Sequence, residues 1–375
     1  MKILLVRPWP YKLNIDSYNV QEIGLSRALV KRGHTCGIVL YLEEGESYTE
    51  EYEQGITIYY LRGRNFFKNG LFGKELNSII ERYDVIQVHE YDQIQSWKIY
   101  SHIHDKKVVI YHGPYYDKFN RGYNLKCSVF DSMFLSFSQK AKKEVTCLTK
   151  SPLAADFLKS KGFKNVISVG VGLDTKPFEG DGVDDISDQM PGDKVNIIYV
   201  GKLEERRNTP FLFDLMLLIL NSVPDAFCTV VGSGDREYVE ALQDKIRTLK
   251  DTGRFLYIEK APQKALAQTY KKADIMLFPS NYEIFGMVLL EAMFFENAVI
   301  SSVNGGSSEL ISDGENGIIC NSFSTDEWLD KVTELVKDKD KLYSIKANAS
   351  KTIHDSYTWD SIAEKFERAY RLESK

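Results

Sequence analysis

Glu283 and Glu291 are the residues in this 375-residue chain best placed to do chemistry together. The apolar run Ile275–Phe278 before them ends in Pro279-Ser280, which reads as a buried parallel strand stopping at a loop. Residues 287–295 have the composition of a helix buried over most of its surface. Glu283 then falls in a strand-to-helix loop, with Gly286 near the first turn of the helix, where backbone N–H groups and the positive dipole end suit a phosphate. Glu291 follows about two turns on, roughly 12 Å away. Two carboxylates so spaced could grip different parts of one extended ligand. From spacing alone, a buried helix with a solvated glutamate at either end is the favoured reading. A glycosidase pair would need its carboxyls within roughly 5–10 Å of each other, which one loop-helix unit does not provide.

Polar residues gather at the ends of other apolar runs. Val195–Val200 stops at Gly201-Lys202-Leu203-Glu204-Glu205-Arg206-Arg207-Asn208, ahead of a helix expected over 210–220. These cations could neutralise a diphosphate, or form a solvated charged turn. Ala226–Val231 runs into Gly232-Ser233-Gly234, where glycines allow close approach to a ligand, although G-x-G alone is a weak signal. The strand expected over 299–302 ends at Asn304-Gly305-Gly306-Ser307-Ser308-Glu309. In the first half, Val85–His89 ends with His89 and Glu90, and the strand at 108–111 ends at His112-Gly113-Pro114. Ligands bind at the carboxyl ends of strands in open α/β sheets. Otherwise His112 is a loop histidine without a role. Asp338-Lys339-Asp340 is formally a D-x-D, but it lies between helices in a lysine-rich stretch and reads as solvated, so no metal site is expected.

The elements that must position these residues alternate. A strand at 3–6, a helix at 20–32 closing on Gly33 and a strand at 36–41 open a doubly wound domain. Strands at 56–61, 145–148 and 166–169 and helices at 76–82 and 152–161 continue it. Residues 170–174 read as the crossover, and 181–193, with five Asp, two Gly and a Pro, as an exposed loop. A second β–α series runs from Val195 through Phe255–Ile258 to Ile318–Cys320. Helices at Thr325–Lys337, 340–350 and 359–372 end the chain.

A chain 43% hydrophobic can fill two cores. Its net charge of -5 and pI of about 5.8 argue against a general nucleic-acid binder. Five cysteines without metal spacing fit buried thiols in a reducing compartment, so a cytoplasmic location is expected. The start, Met1-Lys2-Ile3-Leu4-Leu5-Val6, is too short for a signal peptide, and nothing approaches the roughly 18 apolar residues of a membrane span. Residues 62–74 and 115–143 mix aromatic and basic side chains. Each alone reads as an amphipathic surface, and the pair reads as peripheral docking on an anionic membrane face.

Taken together, these motifs resemble the retaining glycosyltransferases of family four, which have the GT-B fold. The resemblance runs over almost the whole chain and is densest from Val195 to Asn321. The E-x7-E motif is matched by Glu283 and Glu291, within Pro279-Ser-x-x-Glu-x-Phe-Gly-x-x-x-Leu-Glu-Ala-Met293. The basic loop is matched by Gly201, Lys202, Leu203 and Arg207, with Arg and Lys exchanged and Asn208 in place of the usual Gly. Gly305, Gly306 and Glu309 match the later Gly-Gly-x-x-Glu; Arg32-Gly-His34, His112-Gly113 and Tyr357-Thr-Trp-Asp360 also fit. One departure stands out: where the family has a Gly-Gly pair after the first strand, this chain has Asp16-Ser17.

The resemblance implies two Rossmann-like domains facing a central cleft. Residues 1–172 would be the acceptor domain, joined by a C-terminal helix in 357–375 that crosses back to it. Residues 173–356 would hold a nucleotide-sugar. Glu291 would hold the ribose hydroxyls and Glu283 the donor sugar, with Phe285, Gly286, Met287, Gly201, Gly232 and Glu309 around the donor. Lys202 and Arg207 would stabilise the leaving diphosphate, and His112 would line the sugar from the first domain. No metal or other cofactor would be required. The expected donor is a UDP-sugar, with a GDP-sugar as the alternative. The acceptor would be a saccharide or lipid-linked saccharide in cell-surface polysaccharide or glycolipid synthesis, with the protein peripheral on the inner membrane face. A nucleotide-sugar 2-epimerase and a non-catalytic sugar-nucleotide binder are the competing readings. A dinucleotide dehydrogenase is disfavoured, since no G-x-G-x-x-G follows a first strand.

Overall fold

The computed structural model describes residues 1–103, 105–179 and 186–372. The chain forms two compact units, Met1–Asp174 with Thr358–Lys375, and Thr175–Tyr357.

The first unit runs β1 (Lys2–Val6), α1 (Gln21–Lys31), β2 (Thr35–Leu42), β3 (Tyr48–Glu53), β4 (Ile56–Phe66), β5 (Asn69–Phe72), α2 (Lys74–Ile80), β6 (Val85–His89), α3 (Ile94–His102), β7 (Lys107–His112), α4 (Arg121–Met133), α5 (Gln139–Glu144), β8 (Thr146–Thr149), α6 (Pro152–Ser160) and β9 (Asn165–Ser168). Its sheet has the order β3-β4-β2-β1-β6-β7-β8-β9, with β5 also on β4. All neighbours are parallel except β3 and β5, which run antiparallel to β4.

The second unit runs β10 (Val195–Val200), α7 (Thr209–Ser222), β11 (Ala226–Val231), α8 (Arg236–Glu240), α9 (Gln243–Asp251), β12 (Phe255–Ile258), α10 (Gln263–Lys272), β13 (Ile275–Phe278), α11 (Met287–Phe294), β14 (Ala298–Ser302), α12 (Gly305–Leu310), β15 (Ile318–Cys320), α13 (Thr325–Lys337) and α14 (Lys339–Ser356). Its sheet order is β12-β11-β10-β13-β14-β15, all parallel. That is the doubly wound order, and it puts the topological switch between β10 and β13. In the first unit the corresponding switch lies between β1 and β6.

The last helix, α15 (Trp359–Arg371), belongs to the first unit. Two glycines make room for it. A Cβ on Gly24 of α1 would lie 2.2 Å from Trp359 Nε1, and one on Gly172 would lie 2.4 Å from the same indole. Further along, Tyr370 donates to Gln87 Oε1 on β6 at 2.6 Å, and Phe366 meets Tyr111 edge-on.

Several expectations need correction. The stretch 62–74, for which the sequence predicts no element, forms a hairpin: β4 continues to Phe66 and turns back as β5. The turn residues are Phe67 and Lys68, at φ 47 and φ 60. The Asn-Gly pair, the ordinary signal for such a turn, sits one step later, because Asn69 and Gly70 are used elsewhere. Asn69 Oδ1 caps the N–H of Ile94, and the Gly70 N–H reaches Pro8 O. The stretch 115–143 forms α4 and α5. Of the expected exposed loop 181–193, residues 181–185 lie outside the described residues, while Ile186 and Met190 are buried. Asp338 caps α14 by accepting from the Lys341 N–H, which accounts for the D-x-D without a ligand. Among the described residues no helix is long and apolar enough to cross a membrane.

Candidate active site

In the second unit the loops after β10 and β13 meet at the switch point. Asn281 N–H donates to Arg206 O at 2.8 Å, and Leu203 N–H to Ser233 O at 2.8 Å. Three glycines permit this packing. A Cβ on Gly232 would sit 1.9 Å from Gly201 O, one on Gly305 would sit 2.4 Å from Glu283 O, and one on Gly306 would sit 1.7 Å from Phe285 O. Gly232 therefore has a structural reason to be glycine, distinct from the close ligand approach anticipated for it. Asn208, in place of the family's usual glycine, stands at φ 54, the left-handed region that asparagine tolerates better than most residues. Gly286, at φ 81, opens α11.

On this frame the charges converge. Arg207 Nη2 lies 2.5 Å from Glu283 Oε2, both side chains being largely buried. Arg206 Nη1 lies 3.5 Å from the same oxygen and also donates to Tyr282 O. Glu204 sits between, 2.8 Å from Arg206 and 3.8 Å from Arg207. Arg207 packs its guanidinium 5.0 Å over the Phe278 ring. Its Nε and Nη1 are buried and have no hydrogen-bond partner among the described residues. Unpartnered buried N–H groups on a cation are costly unless something anionic satisfies them. Lys202, by contrast, is half exposed and 3.9 Å from Glu204. Glu291 is not a solvated helix end: it is almost fully buried and accepts from Tyr270 OH at 2.9 Å. Glu309 accepts from Tyr357 OH through both its carbonyl and its carboxylate. Phe285 is buried and tilted against Tyr357.

The first unit builds its own cluster at the ends of β6 and β7. His112 is fully buried, with Nδ1 against Glu90 Oε2, and its Nε2 has no hydrogen-bond partner among the described residues. Glu90 holds φ 60 and takes the Gly113 N–H at 3.3 Å. Burial pushes the Glu90 carboxyl up, but His112, Lys150 and that N–H outweigh burial and bring it down to about 2. His89 is pushed down to about 4 by burial, against the pull of Glu22. Glu22 in turn pairs with Arg7 at 3.2 Å. Asp92 brings a carboxylate oxygen within 4.8 Å of the Glu90 and His112 ligand atoms, a grouping of the kind that can hold a cation. The Lys126 ammonium already lies 2.8 Å from Asp92. Asp16-Ser17 needs no glycine, because the left-handed residue of that loop is Asn19, at φ 48, whose side chain ties Gly172, Asp174 and Trp359 together.

Within the second unit the structure thus brings Arg207 and Glu283 together and places Lys202 and Gly201 on the same loop. Sequence reasoning counted Arg206 among the cations of its loop but gave neither it nor Glu204 a separate role, and it passed over Asp92. The Arg206-Arg207 tandem was visible, but which guanidinium turns toward Glu283 depends on the 3-10 turn Glu205–Arg207.

The family described as "Glycosyl transferases group 1" matches residues 184–352. An uncharacterized glycosyltransferase of Methanocaldococcus jannaschii is 26% identical, over 99% of this chain and 98% of its own. A D-inositol 3-phosphate glycosyltransferase of Corynebacterium aurimucosum is 24% identical over 55% of this chain and 51% of its own. Among solved structures, sucrose-phosphate synthase from Thermosynechococcus elongatus superposes with TM-score 0.72 at 16% identity, covering 99% of this chain and 98% of its own. Anabaena HepE in complex with UDP gives 0.70 at 15% identity, covering 98% and 99%. At such identities the two structures speak for the shared fold.

Proposed function

We propose that this chain, which matches the group 1 glycosyltransferases over residues 184–352 and has the GT-B fold, moves a sugar, with retention at the anomeric carbon, from a nucleoside-diphosphate donor to a saccharide or lipid-linked saccharide. UDP is the favoured nucleotide, supported by the UDP complex of the HepE neighbour; GDP is the alternative. The observation that carries the reading is Arg207: a largely buried guanidinium, paired with Glu283, with two nitrogens that have no hydrogen-bond partner among the described residues.

In the reaction the acceptor hydroxyl oxygen bonds to the anomeric carbon as the bond from that carbon to the β-phosphate oxygen breaks. The electron pair leaves with the diphosphate, and the acceptor proton passes to that leaving phosphate. Arg207 and Lys202 face charge that grows in this step, so they stabilise the transition state more than the ground state. Glu283 holds Arg207 in place and takes the sugar hydroxyls. Glu291 binds the ribose, and the backbone of Phe285, Gly286 and Met287 receives sugar and phosphate. His112 serves the donor sugar from the first unit, oriented by Glu90. The reading assigns no metal: the Lys126 ammonium pairs with Asp92, and His112 Nδ1 lies against Glu90. It places the protein in cell-surface polysaccharide or glycolipid synthesis, on the cytoplasmic side and peripheral to the membrane.

Calorimetric titration of nucleoside diphosphates into wild type and Glu291→Ala tests it. UDP should bind, and bind more weakly to the variant. Turnover should persist in chelator, with a product of the donor's anomeric configuration. Absence of binding by every nucleoside diphosphate would remove the proposal.

A further inference from the structure

The two basic-aromatic stretches of the sequence meet in one place. The β4–β5 hairpin and α4 wall an apolar cavity of about 560 Å³, which is ligand-sized. On α4, Leu125, Val129 and Met133 stand at i, i+4 and i+8, so they share one face. They are 68%, 51% and 60% exposed. A helix lying on a globular surface normally carries polar residues there, while this one has a second apolar face, Cys127 and Phe130, buried beneath it. Opposite stand Phe66 and Phe67, packed edge to face at 4.7 Å. Phe67 is 81% exposed and sits at φ 47, a conformation unfavourable for a bulky residue. An exposed phenylalanine held in a left-handed turn, facing an exposed aliphatic stripe, marks a binding surface.

The cavity is not apolar throughout. Lys126 and Asp92 line one part of it. Asp92 is buried and within 4.8 Å of the Glu90 and His112 ligand atoms. The hydrocarbon surface therefore leads to an ammonium, and the ammonium to the cluster assigned to the transfer reaction. Lys68 and Arg64 on the hairpin, and Lys118 and Arg121 at the start of α4, are exposed as well. Apolar walls with cations at the border fit an amphiphile with an anionic head.

We propose that this groove holds the hydrocarbon chain of an amphiphilic, anionic acceptor, with the head at Lys126 and the accepting hydroxyl toward Asp92, Glu90 and His112. The inference rests on the transferase reading and names the acceptor class within it. The chain is recognised by Phe66, Phe67, Leu125, Val129 and Met133, and the charge on the head by Lys126.

The test is calorimetric binding of dodecyl phosphate, below its micelle concentration, to wild type and to the double variant Leu125→Asp with Val129→Asp. Both positions are exposed, and an unchanged thermal midpoint confirms the fold. Wild type should bind dodecyl phosphate, and the double variant should bind it at least about tenfold more weakly, a difference of about 1.4 kcal/mol. Inorganic phosphate should not bind at this site, and UDP should bind both proteins equally. Equal dodecyl phosphate affinity for the two proteins overturns the proposal. So does binding to phosphatidylglycerol vesicles without binding of monomeric dodecyl phosphate, which would make the face a bilayer-docking surface. A concentration-dependent dimer that the double variant abolishes also overturns it, by assigning the face to a second copy. If wild type binds dodecyl phosphate but no nucleoside diphosphate, the transferase reading fails and the acceptor role with it, a result distinct from failure of the groove.

Discussion

At the switch point of the second unit, backbone meets backbone. Gly232, Gly305 and Gly306 let loops touch carbonyl oxygens, and charged side chains then pair across the joined loops, Arg207 and Arg206 both with Glu283. At the strand ends of the first unit, side chains do the joining. Glu90 at φ 60, Asp92 and His112 are all buried and face one another, and Glu22, Arg7 and His89 form a second layer. The two arrangements suit different ligands. A diphosphate is the same in every donor, so loops fixed by glycine and studded with cations serve any of them. An acceptor differs from one enzyme to the next, and a site made of side chains can change without remaking the backbone.

The largest effect should come from Arg207. Replacing it with alanine removes the group proposed to stabilise the leaving diphosphate and leaves Glu283 with less charge compensation. Turnover should fall by about 100- to 1,000-fold, read as kcat with saturating donor, with UDP binding weakened as well. Arg207 and Glu283 share one contact, so the double alanine variant should lose less than the sum of the singles. A wild-type rate in Arg207→Ala would mean the second unit's network is structural.

Gly306→Ala asks whether the backbone joint is as tight as it looks. The added Cβ would lie 1.7 Å from Phe285 O, which is backbone and has little room to yield. A loss of about 1–3 kcal/mol in unfolding free energy is expected, together with weakened UDP binding. Full stability with intact UDP affinity would show that the 283–286 loop can move without penalty.

The first unit should respond instead to acid. The fold holds His89 at about 4, below the usual 6.5 of an unfolded histidine. A lowered histidine adds stability that is fully present above about pH 6.5 and is lost as pH falls toward 4; by about pH 5 roughly 2 kcal/mol should be gone. Glu90, held at about 2, keeps its charge through that window, and its own contribution is lost only below about pH 4.5. Urea unfolding at neutral pH and near pH 5 should show the loss in wild type and much less of it in His89→Gln. Equal slopes in the two proteins would assign acid sensitivity elsewhere.

The same contrast explains what could be read in advance. Strands of the second unit such as Ile275–Phe278 and Val195–Val200 are flanked by parallel neighbours and covered on both faces, so they appear as near-continuous apolar runs with sharp ends. Glu283, Arg207 and Lys202 follow such ends directly and were legible for that reason. β3 is Tyr-Thr-Glu-Glu-Tyr-Glu, an exposed edge strand with acidic side chains, and it offers no apolar run to find. β5 was hidden because Asn69-Gly70 sits beside the turn and not in it. Asp92 was hidden because it lies three residues past the end of β6, where an aspartate looks like an ordinary turn residue. That the 62–74 and 115–143 stretches share one cavity depends on tertiary pairing that no local pattern contains.

The smallest effect should have the opposite sign. Gly122 lies in the first turn of α4, and a Cβ there would meet nothing within 4 Å. Alanine reduces the freedom of the unfolded chain and favours helix, so Gly122→Ala should stabilise the protein by about 0.4–1 kcal/mol, visible as a small rise in the denaturation midpoint. Set beside Gly306→Ala, the same chemical change would stabilise in one unit and destabilise in the other, because one glycine lies in open space and the other against a carbonyl. Gly122 also borders the apolar cavity, so a stabilised variant that binds dodecyl phosphate as wild type does would show that α4 presents its outer face without relying on local flexibility. If Gly122→Ala destabilised the protein, α4 would have to leave its helical conformation at that end, and the side-chain-built first unit would share the backbone constraints of the second.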